Sequence, residues 1–228
     1  MLYGNGLLGQ AFKKYQDNLD VIIYAKGVSN SQCKDNKEFE RDYDELLSTL
    51  ENNQNKKIIY FSSCSILDTT LLSTPYVQHK INIENLIKKI HKNYLIIRLP
   101  QIAGYTNNTN TILNYIHNNI INNNKFVLWK NAKRNIIDVK DIVTIVDQII
   151  IANFYNTTIN VANKYSHSML DIVGVFEKLL NKKAIFDVDT RISEYNIDIT
   201  DIETILLKTN ILFNNDYLYE TLKKYYKK

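Results

Sequence analysis

Short, almost wholly apolar runs alternate along this chain with longer segments whose apolar residues recur every three or four positions. The apolar runs, at Asp20 to Tyr24, Ile58 to Phe61 and Tyr94 to Leu99, read as strands buried on both faces, and Met1-Leu2-Tyr3 reads as the stub of another. Helical spacing carries Leu8, Ala11, Phe12 and Tyr15, then Glu38 to Leu50 with Phe39, Tyr43, Leu46, Leu47 and Leu50 inward. A third helix runs from Pro75 to about Lys92, with Thr74 as N-cap and Pro75 at the first helical position. Further helices follow at Ile112 to Ile120, Ile142 to Phe154 and Ser168 to Leu180. Phe126 to Trp129 and Thr158 to Val161 read as strands, with a basic loop from Lys130 to Arg134. Residues 184–228 show no clear order, and Lys223 to Lys228 read as a solvated helix end. Buried strands alternating with helices give an α/β fold around a parallel sheet with helices on both faces.

Composition narrows this picture only modestly. With 228 residues and 45% hydrophobic content, one folded domain with a sizeable core is expected. The net charge of +4 is spread over scattered lysines, so neither nucleic acid nor a membrane surface is an expected partner. The most apolar run, Ile142 to Phe154, contains Asp147 and Gln148 and is too short to cross a bilayer. Cys33 and Cys64 lack metal-ligand spacing, as do His79, His91, His117 and His167, so no metal is expected. Two free thiols fit a reducing compartment, and a cytoplasmic location is expected.

Chemistry gathers at the expected strand ends. Gly4-Asn5-Gly6-Leu7-Leu8-Gly9 is a G-x-G-x-x-G loop between a strand and a helix, holding three of the chain's six glycines. In that setting the glycines admit a pyrophosphate close to backbone N–H groups. In a parallel sheet the strand C-termini share one edge, where ligands bind, and Gly4, Ala25, Ser63 and Pro100 all fall at such ends. Tyr76 and Lys80 stand one helical turn apart on one face. An ammonium beside a phenol is expected to lower its pKa and let it exchange protons near neutrality.

Five features in this order resemble the extended short-chain dehydrogenase/reductase family, the NAD-dependent epimerases and dehydratases of nucleotide-linked sugars. They are the glycine loop, the strand ending in Ser62-Ser63, Tyr76-x-x-x-Lys80, the segment Arg98-Leu99-Pro100-Gln101-Ile102-Ala103-Gly104, and Arg134-Asn135-Ile136-Ile137-Asp138-Val139-x-Asp141. The resemblance spans about residues 1–163 and implies a Rossmann-like domain over 1–228, with 105–135 and 164–228 forming a small substrate lobe. It implies Tyr76 as general acid/base, Lys80 as its partner and a ribose ligand, and Ser63 as the group orienting the reacting oxygen. NAD or NADP would lie along Gly4, Asn5, Gly6, Leu7, Leu8, Gly9, Ala25, Lys26, Gly27, Pro100 and Ile102. The nucleotide-sugar would meet Gln101, Trp129 and Arg134, in an enzyme of bacterial surface-polysaccharide synthesis that forms a homodimer through the Tyr76 helix. On that helix Val77 and Ile81 would face a partner helix.

The sequence departs from the family pattern twice. Tyr3 occupies the place of the family's first loop glycine, and no acid ends the Asp20 to Tyr24 strand to hold a ribose; Lys26 follows instead, where it would meet a 2′-phosphate. That strand more resembles the family's fourth, which implies that a strand–helix–strand piece is missing and the sheet has a reduced strand number. The adenosine half of the groove would then be open and coenzyme affinity reduced. These departures also fit a non-catalytic, shortened Rossmann module that binds a nucleotide or a partner protein.

Overall fold

The computed structural model describes residues 1–227. In chain order the elements are β1 (Leu2–Tyr3), α1 (Leu7–Ala11), β2 (Val21–Tyr24), α2 (Asn36–Glu51), β3 (Lys57–Ser63), α3 (Pro75–Ile90), β4 (Tyr94–Leu99) and β5 (Gln101–Ala103). They continue with α4 (Ile112–Ile121), β6 (Lys125–Asp138), α5 (Val139–Ile151), β7 (Thr157–Asn160), β8 (Ser166–Ser168), α6 (Met169–Leu180), β9 (Ile185–Ser193), α7 (Thr200–Leu206) and α8 (Tyr217–Tyr226).

Five parallel strands form the main sheet in the order β1-β2-β3-β4-β7. Their side chains alternate between two cores, as the period of a strand requires. Val21, Ile23, Ile59, Phe61, Leu95 and Ile97 pack against α1, α5 and α7, while Ile22, Tyr24, Ile58, Tyr60 and Ile96 pack against α2 and α3. A second sheet, β5-β6-β8 with β9 on β6, is covered by α4, α6 and α8 around Phe126, Leu128, Phe176 and Leu222.

The order of the main sheet carries a topological anomaly. A doubly wound dinucleotide fold runs 3-2-1-4-5-6, with its second and third strands on the far side of the first. Here β1 pairs with β2 alone among the described residues, and every later strand lies on that same side. The steps from β1 to β2 and from β2 to β3 run the same way across the sheet, yet α1 lies on one face and α2 on the other. The two connections therefore have opposite hands, although such crossovers are right-handed in about 98% of cases. Helix α1 sits where it would lead to a strand beyond the outer edge of β1. This is the placement expected if β2 corresponds to the fourth strand of the full fold.

Three readings of the sequence need correction. The basic loop at Lys130 to Arg134 is strand: β6 continues through it to Asp138, with a register shift between Trp129 and Asn131. Lys130 and Asn131 are both exposed, breaking the alternation, and the sequence shows this bulge as a polar break. Residues 184–227 are ordered as β9, α7 and α8. The lysine-rich end is not simply solvated: Lys224 pairs with Asp138, Tyr225 donates to Asp138 at 2.5 Å, and Tyr226 is buried. Lys228, the last residue of that end, lies outside the described residues.

Candidate active site

The glycine loop is shaped first by its own packing. Gly4 has φ +115°, and a Cβ there would collide with the Ala25 carbonyl; a Cβ on Gly9 would collide with the carbonyl of Gly4. These two glycines let α1 and the end of β2 close onto the loop. Gly6 differs: no atom lies within 4 Å of where its Cβ would be, so the loop is open at that position. Asn5 is exposed, whereas Leu7 and Leu8 are half-buried. A Cβ on Gly104 would strike Leu7 at 2.6 Å, so the loop touches the end of the Pro100–Gly104 segment. Ala25 donates its N–H to Tyr3 O at 2.7 Å, which draws the ends of β1 and β2 together. The structure thus brings Gly4, Leu7, Ala25 and Gly104 to one edge.

The same edge carries the phenol and its neighbours. Ser63 ends β3, where its Oγ accepts the Ser65 N–H at 3.1 Å beside the Tyr76 hydroxyl. Tyr76 stands in the first turn of α3, and Lys80 follows one turn later. The ammonium of Lys80 donates to the Tyr60 hydroxyl at 3.0 Å and lies 5.8 Å from the Tyr76 ring centroid. Beneath them Asp42 takes the Val28 N–H at 3.2 Å and faces His79 Nε2 at 2.7 Å. Gly27, with φ +119°, lies directly against the Asp42 carboxylate. The Tyr24 hydroxyl and the second Asp42 oxygen are buried without a hydrogen-bond partner among the described residues.

Electrostatics here differ from the expectation drawn from spacing. Tyr76 and Lys80 are 7% and 4% exposed. Burial raises the Tyr76 pKa above its usual value of 10.0, and the Ser63 hydrogen bond only partly opposes this. Burial likewise lowers the Lys80 pKa, against the nearby charges of Asp42 and Glu84. Desolvation, reinforced by the Asp42 charge, therefore sets the direction for Tyr76, while the Lys80 ammonium is directed at Tyr60. The cover over Tyr76 is apolar: Val28, Cys33, Ile66 and Leu71 pack over Tyr76 and Val77. Val77 is thereby buried against this chain's own side chains, and Ile81 is half-buried beside it. Burial also pushes the Cys64 thiol up to about 12, which leaves it inert at neutral pH.

The remaining positions divide. Arg98 forms a double hydrogen bond to Glu84 at 2.8 and 2.7 Å, and Ser62 adds a third at 2.7 Å, so this arginine braces β4 against α3. Pro100, Gln101 and Ile102 are half-buried where β4 passes into β5. Lys26 is exposed and paired with Glu45 at 2.7 Å. Trp129 and Arg134 belong to the second sheet, with the guanidinium 5.9 Å from the indole centroid. Arg134 donates to Ser193 Oγ at 3.0 Å, and Ser193 in turn donates to Asp68 at 2.8 Å. Tyr195, half-buried beside Cys64, Ser65 and Arg134, is pushed up to about 12 by burial. Sequence reading missed Tyr60, Asp42, Asp68, Ser193 and Tyr195. Only Tyr60 and Asp68, close to Ser63 in the chain, carried a positional hint.

Residues 8–162, well over half of the chain, match the NAD dependent epimerase/dehydratase family. The chain belongs to this family. No curated protein sequence matches it. Among solved structures, UDP-glucuronic acid 4-epimerase from Bacillus cereus, in complex with NAD, is 18% identical with a TM-score of 0.71, covering 95% of this chain and 74% of its own. UDP-N-acetylglucosamine 4-epimerase from Methanobrevibacter ruminantium M1, in complex with UDP-N-acetylmuramic acid, is 17% identical with a TM-score of 0.71, covering 94% and 78%. RMD from Pseudomonas aeruginosa, complexed with NADPH, is 12% identical with a TM-score of 0.74, covering 98% of each chain. At such identities these likenesses establish the shared fold. The epimerase/dehydratase assignment makes the chain a member of an enzyme family of short-chain dehydrogenase/reductase type. Among the described residues no helix is long and apolar enough to cross a membrane.

Proposed function

We propose that this epimerase/dehydratase family member modifies a nucleotide-linked sugar with NAD or NADP, as an epimerase, dehydratase or reductase. The observation that carries this reading is the meeting of Ser63, Tyr76 and Lys80 at the strand edge that also holds the glycine loop. Tyr76 moves a proton to or from a sugar hydroxyl or carbonyl, Ser63 orients the same oxygen, and Lys80 stabilises the phenolate and holds a ribose. The nicotinamide half of the coenzyme fits along Gly6, Leu7, Pro100 and Ile102, where Gly6 leaves open space; when bound, it accepts and returns a hydride. Arg134, Trp129 and Gln101 meet the nucleotide-sugar, the guanidinium pairing with its phosphates. The second sheet, with residues 105–135, 164–193 and helix α8, supplies the substrate lobe, while α7 packs on the main sheet.

This reading extends to surface-polysaccharide synthesis in a bacterial cytoplasm. It also includes a homodimer, formed over the groove between α2 and α3 that Phe39, Tyr43, Leu47, Leu86 and Ile90 line. A single-copy mass by light scattering at micromolar protein would remove the dimer from the proposal. The direct test of the activity incubates the protein with UDP- and dTDP-hexoses and NAD(P)(H), with products followed by NMR. Turnover of one sugar by the wild type and its loss in Tyr76→Phe are expected; equal turnover in both would overturn the catalytic role.

One observation favours a second reading, a non-catalytic module. The phenol and the ammonium are both buried, and the ammonium is already bonded to Tyr60. Absence of turnover across the sugar panel, with a nucleotide or nucleotide-sugar still bound, would favour it.

A further inference from the structure

We propose that this chain recognises its coenzyme through the nicotinamide mononucleotide half alone, so that the adenosine half adds little affinity and NAD and NADP are not distinguished. The inference rests on the coenzyme-dependent reading above. A doubly wound dinucleotide fold joins two mononucleotide-binding halves across the point where strand order reverses. This sheet has no reversal among the described residues: β2, β3, β4 and β7 all lie to one side of β1. Opposite crossover hands, with α1 on the face away from α2, mark β1 and α1 as the remnant of the first half joined directly to the second.

Over the face of β1 and β2 that α2 covers, Lys26 offers no free cation to a 2′-phosphate. Tyr3 stacks on Tyr24 with ring centroids 5.9 Å apart, and Lys26 is held by Glu45. The shallow groove beside them also carries Asp44. A 2′-phosphate placed there would meet two carboxylates and a lysine already neutralised by one of them, so Lys26 does not select NADP. Of the groups proposed for the nicotinamide side, Ser63, Tyr76, Lys80, Pro100 and Ile102 come from β3, α3 and the β4–β5 junction, inside the retained half, and Gly6 and Leu7 come from the remnant.

The test is a fluorescence and calorimetric titration of the full chain with NMNH, NADH and NADPH, and separately with ADP-ribose as competitor. Dissociation constants for the three reduced nicotinamides within about threefold of one another are expected, with no displacement by ADP-ribose. Lys26→Ala should leave all three unchanged, and Lys80→Ala should weaken all three alike. Binding of NADH or NADPH more than about thirtyfold tighter than NMNH, or displacement by ADP-ribose, would overturn the inference and leave the proposed activity standing. If no reduced nicotinamide bound at millimolar concentration, both would fall.

Discussion

At the residue scale, the balance between burial and charge decides what Tyr76 and Lys80 can do. The sequence placed them one turn apart, and the structure keeps them so. Their burial, and the presence of Tyr60 and Asp42 beneath them, was not legible, because those groups arrive from β3 and α2. Tyr76→Phe removes one hydroxyl from a packed ring. We expect turnover to fall by roughly 10²- to 10⁴-fold with the melting temperature little changed, checked by steady-state assay and calorimetry. Glu84 gives a second test. Burial alone would raise its pKa, but the hydrogen bonds from Arg98 and Ser62 prevail and hold it below the usual 4.5. A carboxylate with a lowered folded pKa stabilises the protein above its unfolded pKa, and that contribution is lost as pH falls through the folded value. Acid titration followed by circular dichroism should therefore show stability declining below about pH 4.5, with a shallower decline in Glu84→Gln. Arg98→Ala leaves a nearly buried carboxylate without its double hydrogen bond, the half-exposed Lys88 being a weak replacement, and should cost about 3–5 kcal/mol in urea unfolding.

At the element scale, the wholly apolar strands and the periodic helices were readable because each buries a continuous face. The glycine loop was readable as a loop. That Gly4 and Gly9 serve its own closure onto Ala25, leaving Gly6 as the open position, required coordinates. Gly4→Ala combines an unfavourable positive φ with a backbone collision, and should destabilise by about 1–3 kcal/mol in chemical denaturation, whereas Gly6→Ala should be tolerated by the fold. The C-terminal elements were illegible for a different reason. Helix α8 is ordered by long-range partners: Tyr217 donates to Asp141 at 2.6 Å and accepts the Asp138 N–H at 3.0 Å. Tyr217→Phe loses the first and cannot accept the second, so earlier fraying of α8 in hydrogen exchange is expected, with the main sheet unaffected.

At the scale of the whole molecule, two sheets meet at a seam where Asp68 from the segment after β3 accepts from Ser193 of β9 and Arg134 of β6 donates to the same serine. The resemblance read from the sequence implied a substrate lobe over 105–135 and 164–228, and showed neither the second sheet nor this bridge. Sequence did suggest the missing strand–helix–strand piece, through the absent acid after Tyr24; the strand order and the crossover hands supply its geometric counterpart. The central claim is that one ligand-bearing crevice unites Ser63, Tyr76 and Lys80 with the glycine loop. A crystal structure of Tyr76→Phe soaked with a UDP-hexose and NADH tests it most directly. We expect the sugar within hydrogen-bonding distance of Ser63 and beside position 76, with the nicotinamide along Pro100 to Ile102. A sugar bound away from Ser63, or a nicotinamide lying in the groove between α2 and α3, would contradict it.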